Sequence, residues 1–256
     1  MEERTIDTNL GRISVSIDDK GTTTPIIFLH GVFLDKSLWF DVSKNLPDKT
    51  RIYIDMPAHG SSSDVEHDWT LDDCVDLLMQ IMNELKLDTC FLIGHSWGSM
   101  TALRAAVKFP ERFEALGLFN MPFRKTTGLR RLGFLFQKTM LSFPRFYAKQ
   151  AAKSLYSEEI LRIRPELSIQ MQDRLSKRTP KEISRIIDAV ILMPDDATKL
   201  ITELRIPALA VIGHDDYVGK PPGLETWTVP GGHISPHEAV DKIKDAIIKV
   251  LGMKNH

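Results

Sequence analysis

The chain has 256 residues, 43% hydrophobic and 26% charged, enough for one large α/β domain carrying an insertion. Its 33 Lys and Arg against 34 Asp and Glu leave a formal net charge of −1, which excludes a general nucleic-acid binder, because neutralising phosphates needs a basic excess. No apolar run reaches the ~18 residues of a membrane span, and the opening Met1-Glu2-Glu3-Arg4 lacks the basic start and apolar core of a signal peptide.

Two alternating stretches, Arg4 to Thr8 and Arg12 to Ile17, read as strands, and Asp18-Asp19-Lys20-Gly21 reads as hairpin punctuation. From Pro25 the pattern changes. Ile26 to Leu29 is a continuous apolar run, as a strand buried on both faces of a parallel sheet requires. Similar runs recur at Ile52 to Ile54, Cys90 to Ile93, Ala115 to Phe119 and Ala208 to Ile212, with a shorter strand at Thr226 to Val229. Helical patterns lie between them. One spans Leu71 to Lys86 behind a capping-box spacing of Thr70 and Asp73, and another follows Trp97 and stops before Pro110. The last runs from Pro236 to Leu251, with Ser235 as N-cap and Glu238 three residues after it. This alternation predicts an α/β fold with a mostly parallel sheet and helices on both faces. Cys74 and Cys90 have no CxxC spacing and read as reduced packing thiols of a soluble, cytoplasmic protein.

One segment breaks the alternation. Between Asn120 and about Lys199 only helical patterns occur, separated by Pro144, Pro165, Pro180 and Pro194. Met121 to Arg185 holds 15 basic and 5 acidic residues, while the remainder of the chain is net acidic. Residues 121–199 therefore read as a helical lid inserted into a core of residues 1–120 and 200–256. Arg124, Lys125, Arg130 and Arg131 cluster where the chain leaves the sheet, among Phe123, Leu129, Leu132, Phe134, Leu135 and Phe136. The simple expectation is an amphipathic helix whose apolar face covers the site while its cations point outward. The functional one is a basic face that steers an acidic substrate or acidic carrier protein to the cleft.

Gly94-His95-Ser96-Trp97-Gly98 is the strongest chemical signal. It matches G-x-S-x-G, follows an expected strand and opens an expected helix, the context that this motif needs. The turn lifts Ser96 above the sheet at a helix N-terminus, where amide N–H groups favour a developing anion. A serine hydroxyl needs a base. His233, in Pro230-Gly231-Gly232-His233, is the histidine at the C-terminal end of the last strand, with a glycine pair to aim it. His30 and His59 sit in loops after early strands and read as structural. His67, His237 and His256 lie in polar surroundings, and His214 sits beside two aspartates. The carboxylate that orients the imidazole comes from Gly213-His214-Asp215-Asp216, where either aspartate fits. An oxyanion hole needs two N–H donors; Trp97 supplies one, and Val32, in His30-Gly31-Val32-Phe33, the other.

These motifs together resemble the α/β-hydrolase family over nearly the whole chain. The resemblance rests on His30-Gly31 with Trp39 beyond, on Asp55-Met56-Pro57-Ala58-His59-Gly60-Ser61-Ser62, on the elbow, on Phe109-Pro110-Glu111-Arg112-Phe113, on Gly213 with Asp216, and on Gly232-His233. Within the family the chain looks most like small lidded carboxylesterases, lactonases and pimeloyl-carrier-protein methyl ester esterases. The resemblance implies a triad of Ser96, Asp216 and His233, with oxyanion donors Val32 and Trp97. It also implies a serine esterase acting on a small-molecule ester, with lactones or thioesters as alternative substrates. A different class, a small-molecule receptor on the same fold, is the competing reading. Two departures stand out. Glycine spacing favours Asp216 whereas spacing to Val218 favours Asp215, and only 16 residues separate Asp216 from His233 where the family inserts a helix. No cofactor is expected, and the absence of HxxxH or HExxH spacing leaves no metal site expected.

Overall fold

The computed structural model describes residues 1–21, 24–44 and 46–253. One sheet organises them: β1 (Glu2–Thr8), β2 (Gly11–Asp18), β3 (Ile26–Leu29), β4 (Arg51–Ile54), β5 (Cys90–His95), β6 (Phe113–Phe119), β7 (Ala208–Gly213) and β8 (Glu225–Val229). The spatial order is β1-β2-β4-β3-β5-β6-β7-β8. β2 runs antiparallel to β1 and β4, and every later pairing is parallel.

The helices are α1 (Phe40–Ser43), α2 (Leu71–Glu84), α3 (Trp97–Lys108), α4 (Gly128–Thr139), α5 (Pro144–Leu155), α6 (Glu158–Ile163), α7 (Glu166–Ser176), α8 (Pro180–Ile187), α9 (Thr198–Glu203), α10 (Ser235–Glu238) and α11 (Val240–Leu251). A π-helical turn, Asp188–Leu192, follows α8. Alternate strand residues feed two cores. Ile27, Leu29, Leu92 and Leu116 pack with α2 and α3, whereas Ile26, Phe28, Ile93 and Val211 pack with α1 and α11. Burying each such side chain contributes about 1.5–3 kcal/mol, so continuous apolar strands fold where both faces are covered. Cys74 and Cys90 are free thiols within the first core, and burial pushes both well above the ordinary thiol range.

Two local expectations need correction. Asp18 to Gly21 is not a hairpin turn, because β2 pairs with β1 on one edge and β4 on the other, leaving β3 beyond reach. The hairpin is made by Asn9-Leu10, where Thr8 sits opposite Gly11, and Gly11 takes φ +91° to close it. The last helix is also not continuous from Pro236. Ala239 (φ −133°, ψ 49°) separates α10 from α11. Ser235 does not cap it. Its Oγ donates to Asn120 Oδ1, and the Glu238 carboxylate accepts from Ser157 N at 3.3 Å. Tertiary partners have taken both side chains away from capping. By contrast, Thr70 and Asp73 do form the capping box that opens α2.

Candidate active site

Ser96 joins β5 to α3 at φ +51° and ψ −110°, a conformation that costs a non-glycine residue about 1–3 kcal/mol. The flanking glycines make it possible. A Cβ on Gly98 would lie 2.4 Å from Leu29 O, and one on Gly94 would lie 2.5 Å from the Gly98 carbonyl. Two hydrogen bonds brace the turn: Ser96 N donates to Phe119 O at 2.8 Å, and Ser99 Oγ donates to Gly94 O at 2.6 Å.

His233 enters from the loop between β8 and α10, fixed by its own N–H, which donates to Leu155 O at 2.9 Å. Its Nε2 stands 2.8 Å from Ser96 Oγ, and its Nδ1 stands 2.9 Å from Asp216 Oδ1. An Nδ1–H donated to the carboxylate leaves Nε2 as an acceptor for the serine proton. Asp216, not Asp215, is the aspartate that meets His233; Asp215 Oδ1 instead pairs with His214 Nδ1 at 2.8 Å in solvent. Burial alone would raise the Asp216 carboxyl. The hydrogen bond and charge of His233, with the amide of Asn120, outweigh it and hold the group below the ordinary carboxylate range.

Asn120 is a residue that sequence reasoning passed over. Its Nδ2 donates to Asp216 Oδ2 at 2.7 Å, and its Oδ1 accepts from Ser235 Oγ. In the sequence it marks only the start of the segment without strands. Its left-handed backbone (φ +51°) is visible only in three dimensions.

The loop after β3 is held by two histidines. His30 Nε2 accepts from Met56 N at 2.9 Å while its Nδ1 meets Gly31 O at 2.7 Å. His59 Nε2 accepts from Phe33 N at 3.0 Å, with Nδ1 against Pro57 O at 2.8 Å. Burial lowers His30 to about 4 and His59 to about 3, so both rings stay neutral at pH 7 and keep these roles. The arrangement uses the amide of Phe33 and leaves that of Val32. Among the described residues, neither Val32 N–H nor Trp97 N–H has an acceptor. Trp97 is the first residue of α3, where backbone donors lack intrahelical partners.

Val32, Ser96 and His233 open onto a cavity of about 430 Å³, whose apolar lining includes Phe33, Met100, Phe134, Tyr147 and Ile191. Arg124 and Arg130 also line it. Here the expected orientation of the first helix after β6 fails. α4 has no buried residue, and Leu129, Leu132, Leu135 and Phe136 are exposed. Its cavity side carries Arg130, Gly133, Phe134 and Gln137 instead. The Arg130 guanidinium rests 3.8 Å from the centroid of Tyr217, a ring that was not anticipated and that stacks on His233.

Of the other histidines, His67 is exposed and His256 lies outside the described residues. His237 has polar partners: its Nδ1 meets the Tyr156 hydroxyl at 2.8 Å and its carbonyl accepts from Arg164 at 3.4 Å. It stacks on Tyr156 with 5.9 Å between ring centroids, and burial lowers it to about 4. Among the described residues, no group of three or more His, Cys, Asp or Glu could hold a metal ion, and no helix is long and apolar enough to cross a membrane.

Fold and site together define a hydrolase-type scaffold, a parallel sheet with a serine on a strained strand-to-helix turn. The chain belongs to the alpha/beta hydrolase fold family, which residues 24–228 match. A curated relative is the sn-1-specific diacylglycerol lipase of Danio rerio, 28% identical over 156 residues, or 59% of this chain. The match covers 49% of that relative, so the chain spans about half of its length. Among solved structures, a thermophilic esterase from Thermogutta terrifontis superposes with a TM-score of 0.82 at 24% identity, covering 98% of both chains. The enol-lactonase from Burkholderia xenovorans gives a TM-score of 0.87 at 17% identity, covering 97% of this chain and 99% of that one. These likenesses show a shared fold.

Proposed function

We propose that the protein is a serine hydrolase of small-molecule carboxylic esters, with Ser96 as nucleophile, His233 as general base and acid, and Asp216 orienting the imidazole. The observation that carries this reading is the unbroken line from Asp216 through His233 to Ser96, at 2.9 and 2.8 Å. Residues 121–199 act as a lid over the core, contributing Arg130, Phe134, Tyr147 and Ile191 to the cavity wall.

In this mechanism Ser96 Oγ bonds to the carbonyl carbon as its proton passes to His233 Nε2. The carbonyl π electrons move onto oxygen, and the N–H groups of Val32 and Trp97 donate hydrogen bonds to the oxyanion. One such donor is worth roughly 10²–10³ in rate, and the N-terminus of α3 adds its dipole. The tetrahedral species collapses, and the departing alkoxide takes the proton from Nε2. Water then attacks the acyl-enzyme, giving a proton to Nε2, and Ser96 leaves reprotonated with release of the acid. Asp216 stays ionised throughout and stabilises the transient imidazolium. The same steps open a lactone, whose alcohol remains tethered, or cleave a thioester.

The test is turnover of p-nitrophenyl butyrate by the purified protein beside Ser96→Ala. The reading requires hydrolysis by the wild type and its loss in the folded variant. A panel of p-nitrophenyl esters of graded length, with lactones and thioesters, then defines the acyl group. Tight binding of such compounds without turnover of any would replace the enzyme with a receptor.

A further inference from the structure

Residues 121–157 contain eight Lys and Arg and no Asp or Glu. Within the described residues, only Lys125 and Lys138 of these pair with carboxylates, Asp195 and Asp188, each at 2.7 Å. The same stretch exposes its largest apolar side chains. Leu129 is 87% and Phe136 67% exposed, Leu132 and Leu135 lie with them on α4, and Phe143 and Phe146 follow in the chain. Helical periodicity sorts α4 into two faces. Arg130, Gly133, Phe134 and Gln137 look into the cavity, and the four exposed apolar residues occupy the opposite side. On α5, Arg145, Phe146 and Lys149 share one exposed face.

Single exposed apolar residues are ordinary, but a helix that turns a whole apolar face to water indicates a partner. The surrounding charge selects which one. Asp188 and Asp195 offset only two of these eight cations, so a second copy of this chain would bring two basic surfaces together, and like charges so opposed are unfavourable. An anionic lipid surface satisfies both features, because apolar side chains enter the headgroup and acyl boundary while Lys and Arg meet the lipid charges. We propose that the outer face of α4, with Phe143, Arg145, Phe146 and Lys149, docks the protein peripherally on anionic lipid. The cavity lies on the other side of that helix, so a docked molecule keeps its site about one helix diameter, ~10 Å, from the headgroups. The proposal does not depend on the reaction catalysed.

Co-sedimentation of the full chain with phosphatidylcholine vesicles, with and without phosphatidylglycerol, tests it at 0.1 M and 1 M NaCl. The expected result is binding to the anionic vesicles at low salt, at least ten-fold weaker on neutral vesicles and at least ten-fold weaker in 1 M NaCl, where the screening length falls to ~3 Å. Each basic residue near the surface is worth roughly five-fold in partition, so Arg145→Gln with Lys149→Gln lowers binding about 25-fold. Leu132→Asp with Phe136→Asp lowers it at least ten-fold while the melting temperature and p-nitrophenyl ester turnover stay unchanged, since neither side chain lines the cavity. Equal partition onto neutral and anionic vesicles, or binding to neither, overturns the proposal. A dimer in light scattering that Leu132→Asp with Phe136→Asp splits, without vesicle binding, also overturns it and makes the face a self-interface.

Discussion

The Tyr217 ring stacks on the His233 imidazole, 4.8 Å between centroids and 19° from parallel, and the Arg130 guanidinium lies 3.8 Å from the centroid of the same tyrosine. A chain of flat groups thus runs from α4 to the imidazole that faces Ser96. Stacked aromatic contacts are worth about 0.5–1.5 kcal/mol beyond the area they bury. Tyr217→Ala should therefore lower kcat roughly three- to ten-fold with little change in KM, because the loss falls on the orientation of His233. Tyr217→Phe keeps the ring and should stay within about two-fold. Steady-state kinetics on one p-nitrophenyl ester separates these outcomes, and a phenylalanine variant as poor as alanine would move the role to the hydroxyl.

Replacing Asp216 by Asn should cut kcat by about 10⁴, the cost of losing tautomer control in a triad of another fold. Asp215→Asn should remain within about two-fold, since its carboxylate faces His214 in solvent. Asn120→Ala removes the donor at 2.7 Å from Asp216 Oδ2 and should lower stability by about 1.5–3 kcal/mol, the range for a hydrogen bond to a charged group. Parallel kinetics and urea titrations of the three variants check the ranking. A larger loss in Asp215→Asn than in Asp216→Asn would reverse the assignment.

Acid should weaken the contact between α7 and the loop after β3. Arg174 Nε donates to Asp35 Oδ2 at 2.5 Å, and Asp35 also accepts from Ser37 N at 2.9 Å. Burial would raise the Asp35 carboxyl, but the Arg174 charge and these hydrogen bonds hold it at about 2, well below the ordinary carboxylate range. A carboxyl depressed on folding stabilises the native state above its unfolded pKa and loses that contribution as pH falls through the folded value. The window is therefore pH 4 down to pH 2, and the contribution is of order 2 kcal/mol. Urea titrations at pH 6, 4 and 2.5 should show Asp35→Asn less stable than wild type at pH 6 and the two converging at pH 2.5. A gap that persists unchanged at pH 2.5 would assign the loss to packing.

Arg124 and Arg130 line the cavity, so an ester bearing a negative charge should be favoured over a neutral one at low salt. The ratio of their kcat/KM values should fall several-fold between 0.1 M and 1 M NaCl as the Debye length shrinks from ~10 to ~3 Å. Arg124→Gln should reduce the salt dependence. A ratio that ignores both salt and the substitution would make these arginines a solvated rim.

The sheet was legible because its strands are apolar on both faces, and that pattern survives in one dimension as Ile26 to Leu29 or Cys90 to Ile93. The serine was legible because a turn this tight demands glycine at both Gly94 and Gly98. What escaped depends on long-range partners. Asn120 meets Asp216 across 96 positions of chain, and no spacing rule reaches that far. Ser235 and Glu238 satisfied a local capping rule, yet Asn120 and Ser157 won their side chains. Which side of α4 faces the cavity is not legible in the sequence, because periodicity identifies an apolar stripe without saying whether protein or something else covers it. Asp215 and Asp216 are neighbours in the sequence, and which of them meets His233 depends on the turn after β7, where Asp216 N donates to Gly213 O at 3.2 Å.

The central claim is that Ser96 carries the acyl group during turnover. Acid-quenching the protein during hydrolysis of a phenyl ester, then mapping the adduct by mass spectrometry, tests it directly. The account predicts one acyl group on the peptide containing Ser96, accumulating on the timescale of the first turnover, and none in folded Ser96→Ala. An adduct on another residue, or hydrolysis retained at wild-type rate by Ser96→Ala, would contradict it.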